Sequence, residues 1–161
     1  MRIIFISLAL LFCESYGFAS DEFQCAPRWR FSDNMIQVVK YVRTIDGDTF
    51  VVDIPGMPEV FGKGISVRIK GIDAPEIHAT DRCEELMAMA VSLRLKKLLE
   101  SANRIDLVDI GRDKYFRLLA KVRINDAIDV GAFFLENKWV TAYDGGKKTK
   151  PNWCKSLEQL K

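Results

Sequence analysis

Two runs rich in β-branched and aromatic residues, "IQVVKYVRTI" (36–45) and "DTFVVDI" (48–54), are broken only by Asp46-Gly47. That break constrains the chain more than any other feature. A glycine between two such runs accepts the positive φ of a tight turn, which predicts a β-hairpin. The proline- and glycine-rich "PGMPEVFGKG" then reads as a loop. In "ISVRIKGI" the residues alternate, with Val67 and Ile69 on one face and Arg68 and Lys70 on the other. From Asp81 to Ala102, Leu86, Met87, Ala90, Leu93, Leu98 and Leu99 recur at helical spacing, with Asp81 as N-cap. "RIDLVDI" and "RLLAKVRI" are two further strands around the turn "GRDKYF". "AIDVGAFFLENK" is a shorter amphipathic helix, and "WVTAYD" leads into a basic stretch. Three strands, a helix, two strands and a helix predict an α+β, mainly β fold: a five-stranded OB-type barrel with flanking α-helices. The order alone also permits another small α+β sheet.

The chain has 161 residues, 48% hydrophobic and 29% charged, which suits one domain with a real core and excludes a disordered or fibrous class. Its net charge of +2 carries no argument for nucleic acid, so charge position must. Arg2, an apolar run from Ile3 to Cys13 and the small-residue exit "SYGFAS" have the order of a secretory leader cleaved after Ala19. The run is too short to cross a bilayer comfortably, so no stable membrane anchor is expected after cleavage. The product is then secreted or periplasmic. The expected organisation is a leader at 1–19, an N-terminal arm at 20–35, the barrel domain at 36–148 and a tail at 149–161. Cleavage leaves Cys25, Cys83 and Cys154, two of which are expected to pair in an oxidising compartment. Position favours Cys83–Cys154, with Cys25 as the alternative partner. None has C-x-x-C spacing, which argues against zinc.

The chemistry-bearing residues cluster around "KGIDAPEIH" (70–78). If the first three strands form a meander, Asp48 after the hairpin and Asp73 after the third strand converge at one end of the barrel. Paired carboxylates with carbonyl and water oxygens are what a hard cation such as Ca²⁺ binds. Glu76, just past Pro75, faces the same place. Each feature also has a plainer reading: Asp-Gly-Asp-Thr as turn chemistry, and Asp-Ala-Pro-Glu as a strand exit into a cap. Arg68 and Arg117 offer planar guanidinium groups that bind phosphate oxygens in pairs. Taken alone, either reads equally as a surface arginine in a weak ion pair.

In combination, "TIDGDTFVV", "VRIKGIDAPE", "GRDKYFRLLA" and "TAYDGG" resemble the staphylococcal nuclease-like (thermonuclease) family over about residues 36–146. The resemblance implies the same five-stranded OB barrel and a Ca²⁺-dependent phosphodiesterase, a monomer acting on DNA and RNA, with a 5′-hydroxyl leaving group. It implies Asp48 and Asp73 as metal carboxylates, with the Ala74 carbonyl as a further ligand. Glu76 matches the acid that orients and deprotonates the attacking water, and Arg68 and Arg117 match the phosphate-binding arginines. Lys114, Tyr115 and Tyr143 match groups that hold the terminal phosphate and sugar; Asp46 stands behind the ligands. Ala74 replaces a threonine, Phe116 replaces the usual glycine, and the loop after Glu76 is short. The alternative is an OB module that binds nucleic acid or protein without cutting, and the complete set of acids and arginines favours the enzyme. His78 reads as an ordinary loop residue. Phe133, Phe134 and Leu135 read as core, and "GGKKTK" (145–150) as a solvated basic stretch or a phosphate contact. Trp29 and Phe31 in the arm either pack on the barrel or stack on bases.

Overall fold

In the computed structural model, residues 34–37 and 39–160 are described. The leader, Cys25, Trp29, Phe31 and most of the arm therefore lie outside the described residues. The first strand starts at Met35, one residue inside the segment read as arm: β1 (Met35–Ile36) is followed by β2 (Lys40–Thr44). The hairpin forms, with β2 antiparallel to β3 (Thr49–Asp53) and Thr44 opposite Phe50. Its glycine serves a purpose other than the expected one. Gly47 has no positive φ. A Cβ there would lie 2.8 Å from the Ala74 Cβ and 2.9 Å from the Val91 Cγ1. Glycine is required because three segments meet at that point.

The loop after β3 contains a one-turn helix, α1 (Glu59–Gly62), where only a loop is predicted. The alternating run forms β4 (Ile65–Ile69), with Val67 and Ile69 buried and Arg68 on the other face, as expected. A turn at Gly71, whose φ of 89° needs glycine, leads into β5 (Ile72–Asp73). The main helix, α2 (Arg82–Glu100), is capped by the Asp81 carboxylate, which accepts from the Cys83 and Glu84 N–H groups. Its buried face differs from the predicted one. Met87, Ala88, Val91, Leu95 and Leu99 face the core, whereas Leu93 is half exposed. The contact of Val91 with the hairpin sets that rotation.

The last two long strands, β6 (Ile105–Arg112) and β7 (Leu118–Ile124), pair antiparallel. They are followed by β8 (Ile128–Asp129), α3 (Val130–Glu136), β9 (Thr141–Ala142) and α4 (Trp153–Glu158). Of the aromatic pair on α3, Phe134 is buried, while Phe133 sits at the surface against Trp139. The sheet runs β1-β6-β7-β4-β3-β2, with β4 and β7 parallel. Its two outer members, β1 and β2, are consecutive in the chain, so one interrupted segment touches both ends. The Val39 N–H donates to the Ile105 carbonyl across that seam at 3.0 Å. The result is the expected five-stranded OB-type barrel, its first strand broken, filled by Phe50, Val52, Val67, Ile69, Leu107 and Val122. The C-terminal stretch read as a tail ends in α4. Trp153 on that helix is buried, and Cys154 forms a disulfide with Cys83 on α2.

Candidate active site

The register of the barrel brings the acids to the arginine. β3 and β4 pair with Thr49 opposite Arg68, and the Ile69 N–H donates to the Asp48 carbonyl at 2.8 Å. Asp48 is thereby fixed beside Arg68, and its Oδ1 forms an ion pair with an Arg68 guanidinium nitrogen. The turn at Gly71 carries the chain on into β5. Arg68 Nη2 can then reach the Ile72 carbonyl at 3.2 Å and Asp73 Oδ1 at 3.0 Å. β5 is held in turn by β9, with Asp73 opposite Thr141 and the Thr141 hydroxyl donating to the Asp73 carbonyl.

Both carboxylates are buried, so each must be satisfied. Asp48 accepts from the Thr49 hydroxyl at 2.8 Å and from the Ala74 N–H at 2.8 Å. That second bond places Ala74 directly against Asp48. Asp46 accepts from the Asp48 N–H. Burial raises its carboxyl above the ordinary value, against the opposing Thr49 hydrogen bond and the charges of Arg68 and Arg117. Asp46 thus holds a proton more readily than an exposed aspartate.

Glu76 is exposed at the rim and joins the cluster through a residue the sequence reading did not single out. Lys148 Nζ lies 2.6 Å from Glu76 Oε1 and 3.1 Å from Asp73 Oδ1. The Glu76 hydrogen bond, against the opposing effect of burial and with help from Asp73, holds the Lys148 ammonium pKa above its usual value. Sequence reasoning left Lys148 inside a basic stretch because no local pattern marks a contact across 72 residues. Thr49 was legible by adjacency, directly following Asp48, and was passed over.

The second group sits on the β6–β7 turn. The parallel register pairs Val67 with Leu118, which brings Arg117 to the same end of the barrel as Arg68. Arg117 Nε donates to Asp113 Oδ2 at 2.7 Å, and Asp113 Oδ1 accepts from the Tyr115 and Arg117 N–H groups. Asp113 is thus the residue that aims Arg117, and it too was missed within "GRDKYF". Lys114 Nζ and Arg117 Cζ lie 5.1 and 5.5 Å from the centre of the Tyr115 ring, which is largely exposed. Tyr143 is placed by its backbone, its N–H donating to the Gly71 carbonyl at 3.0 Å. His78 is exposed. A cavity of about 420 Å³ between Val39–Val42 and Leu99–Ile105 contains none of these residues.

Asp48, Asp73, Ala74 and Arg68 therefore form one hydrogen-bonded unit, to which Lys148 attaches Glu76. Lys114, Tyr115 and Arg117 form a neighbouring unit. The donors suit a hard cation in kind: two buried carboxylates share the Arg68 guanidinium, and the Lys148 ammonium bridges Asp73 and Glu76. A family model described as staphylococcal nuclease homologue matches residues 66–159, more than half of the chain. Asp48 lies before that match and is tied to it by the β3–β4 pairing. No curated protein matches the chain.

Proposed function

The chain belongs to the staphylococcal nuclease homologue family, and from that premise we propose an exported, calcium-dependent nuclease that hydrolyses phosphodiester bonds of DNA and RNA. The observation that carries the reading is Arg68 clamped between the buried carboxylates of Asp48 and Asp73. A guanidinium in that position is fixed before substrate arrives, so its remaining donor capacity is preorganised for a phosphate oxygen.

Asp48 and Asp73, with the Ala74 carbonyl, would hold the calcium ion, which supplies positive charge to a non-bridging phosphate oxygen. Arg68 and Arg117 donate to the phosphate oxygens as charge builds on phosphorus. Glu76 orients a water opposite the leaving oxygen and takes its proton, with Lys148 released from the carboxylate. Lys114, Tyr115 and Tyr143 hold the adjoining phosphate and sugar. Asp46 fixes the Asp48 backbone. The protein acts as a monomer. Export is supported by the basic, apolar and small order of the first residues, and by a disulfide that persists in oxidising compartments.

The test is digestion of single-stranded DNA by the mature chain with calcium, with chelator, and with Glu76→Gln. Cleavage is expected only for the wild type with calcium. Equal cutting by wild type and variant, or cutting that survives chelation, refutes the catalytic assignment. Binding without any cutting supports the non-catalytic module instead.

A further inference from the structure

The β6–β7 turn carries a residue that the fold does not use. Phe116 has a φ of 63°, in the left-handed region that a bulky side chain rarely adopts. Its N–H donates to the Asp113 carbonyl at 3.0 Å, and Arg112 Nη1 donates to the Phe116 carbonyl at 3.2 Å, so the turn holds it there. The strain costs on the order of 1 kcal/mol. Nothing in the core repays it, because the residue is 79% exposed. Glycine or asparagine would hold the same φ with less strain.

Exposure alone identifies nothing. Phe61 on α1 is 65% exposed as well, but it lies on an unstrained turn whose Lys63 pairs with Glu59. Phe116 differs in its surroundings. Tyr115, the preceding residue, is 67% exposed, and Arg112, Lys114 and Arg117 lie within four residues on either side. Two exposed aromatic rings among cations, at the end of the barrel that carries Arg68, have the make-up of a single-strand platform. There the cations track phosphates and the rings stack on bases.

We propose that Phe116 stacks on an unpaired nucleobase beside the scissile phosphate and biases this chain toward single-stranded nucleic acid. The inference rests on the nuclease reading above and deepens it. A base inside a duplex has both faces covered by its neighbours, so it cannot accept the ring without being unstacked, which costs a few kcal/mol. An unpaired base has a free face, and every base has a π surface, so the preference is for strandedness and not for sequence.

The test uses the full mature chain with calcium and three substrates: a single-stranded oligonucleotide, its duplex, and a strand of abasic residues with the same phosphates. The variant Phe116→Asn keeps a residue that tolerates the left-handed φ and removes the ring. It is expected to lower the single-strand to duplex ratio of kcat/KM about tenfold, since a base stack contributes roughly 1–3 kcal/mol. The ratio for based over abasic strands should fall likewise, and Phe116→Trp should restore both. The Tm of Phe116→Asn should equal or exceed that of the wild type, which separates a lost stack from a damaged turn. Unchanged ratios overturn the proposal even if overall rates fall. If the wild type cuts nothing, the nuclease reading fails by itself. Fluorescence anisotropy of the labelled single strand then decides: weaker binding by Phe116→Asn supports the stack, and equal binding overturns it.

Discussion

The carboxylate cluster and the β6–β7 turn lie at one end of the barrel and are built in opposite ways. Asp48, Arg68 and Asp73 are aimed by strand register, with the Arg68 side chain 12% exposed and its ion pairs inside the packed sheet. Arg117 is aimed by a single residue, Asp113, on a turn whose tip is open to solvent. In the first region position and stability are the same thing, because moving one of these side chains means moving a strand. In the second the guanidinium can swing if one cap is lost. The proposed phosphate site would then have a fixed floor and an adjustable wall.

The sharpest way to break that contrast is to remove each arginine. Arg68→Ala should lower kcat by about 10²–10³-fold, as for a transition-state donor. Without added calcium it should also destabilise the fold by about 3–5 kcal/mol, because two buried carboxylates lose their shared cation. Arg117→Ala should also slow cleavage while leaving stability within about 1 kcal/mol of wild type, since its partly exposed pair with Asp113 contributes little. Denaturant melts and steady-state cleavage read the two effects separately. Equal losses of stability would erase the distinction between floor and wall, and a near-normal rate for Arg68→Ala would remove that residue from the chemistry.

Lys148 connects the two kinds of construction, since it comes from the C-terminal segment but touches a carboxylate of the fixed floor. With its side chain 49% exposed, the contact is worth no more than a surface pair. In the proposed site its ammonium nevertheless competes with the incoming cation for Asp73. Lys148→Met should therefore tighten calcium binding about two- to fivefold in calorimetry at low salt, with the gain shrinking as salt screens the pair. Unchanged affinity at every salt concentration would make Lys148 a bystander of the rim.

The floor was legible in the sequence and the wall only partly so. Asp48, Arg68 and Asp73 each also read as turn chemistry or a surface ion pair, and only the combined motifs along the chain single them out. The barrel order and the Asp81 cap followed from local logic, and the Cys83–Cys154 pairing from position and compartment. What stayed hidden depends on contacts far apart in the chain. The rotation of α2 onto Val91 was set by the hairpin it meets, and Gly47 was needed for that approach and not for its φ. α4 forms over a stretch that reads as tail because Trp153 finds the core and Cys154 finds α2. Lys148 reaches Glu76 for reasons that no short pattern contains. Asp113 is the exception: it was four residues from Arg117 and readable as a turn cap.

Asp113 also supplies the mildest test of the contrast. Burial alone would raise its carboxyl, but the hydrogen bonds from the Arg117 side chain and from the Tyr115 and Arg117 N–H groups outweigh that and hold it below the ordinary 3.8. A carboxyl with a lowered folded pKa adds stability above its unfolded pKa and loses it as pH falls through the folded value. The wild type should thus lose this increment only below about pH 4. Asp113→Asn keeps an oxygen for the N–H groups and gives up the charge. Its deficit should be about 0.5–1 kcal/mol at neutral pH and should fade on acidification as the wild-type carboxyl takes up its proton. Thermal melts across that acid range measure the two curves. If they run parallel down to about pH 2, the charge of Asp113 does not hold the wall, and Arg117 must be aimed by the backbone of the turn alone.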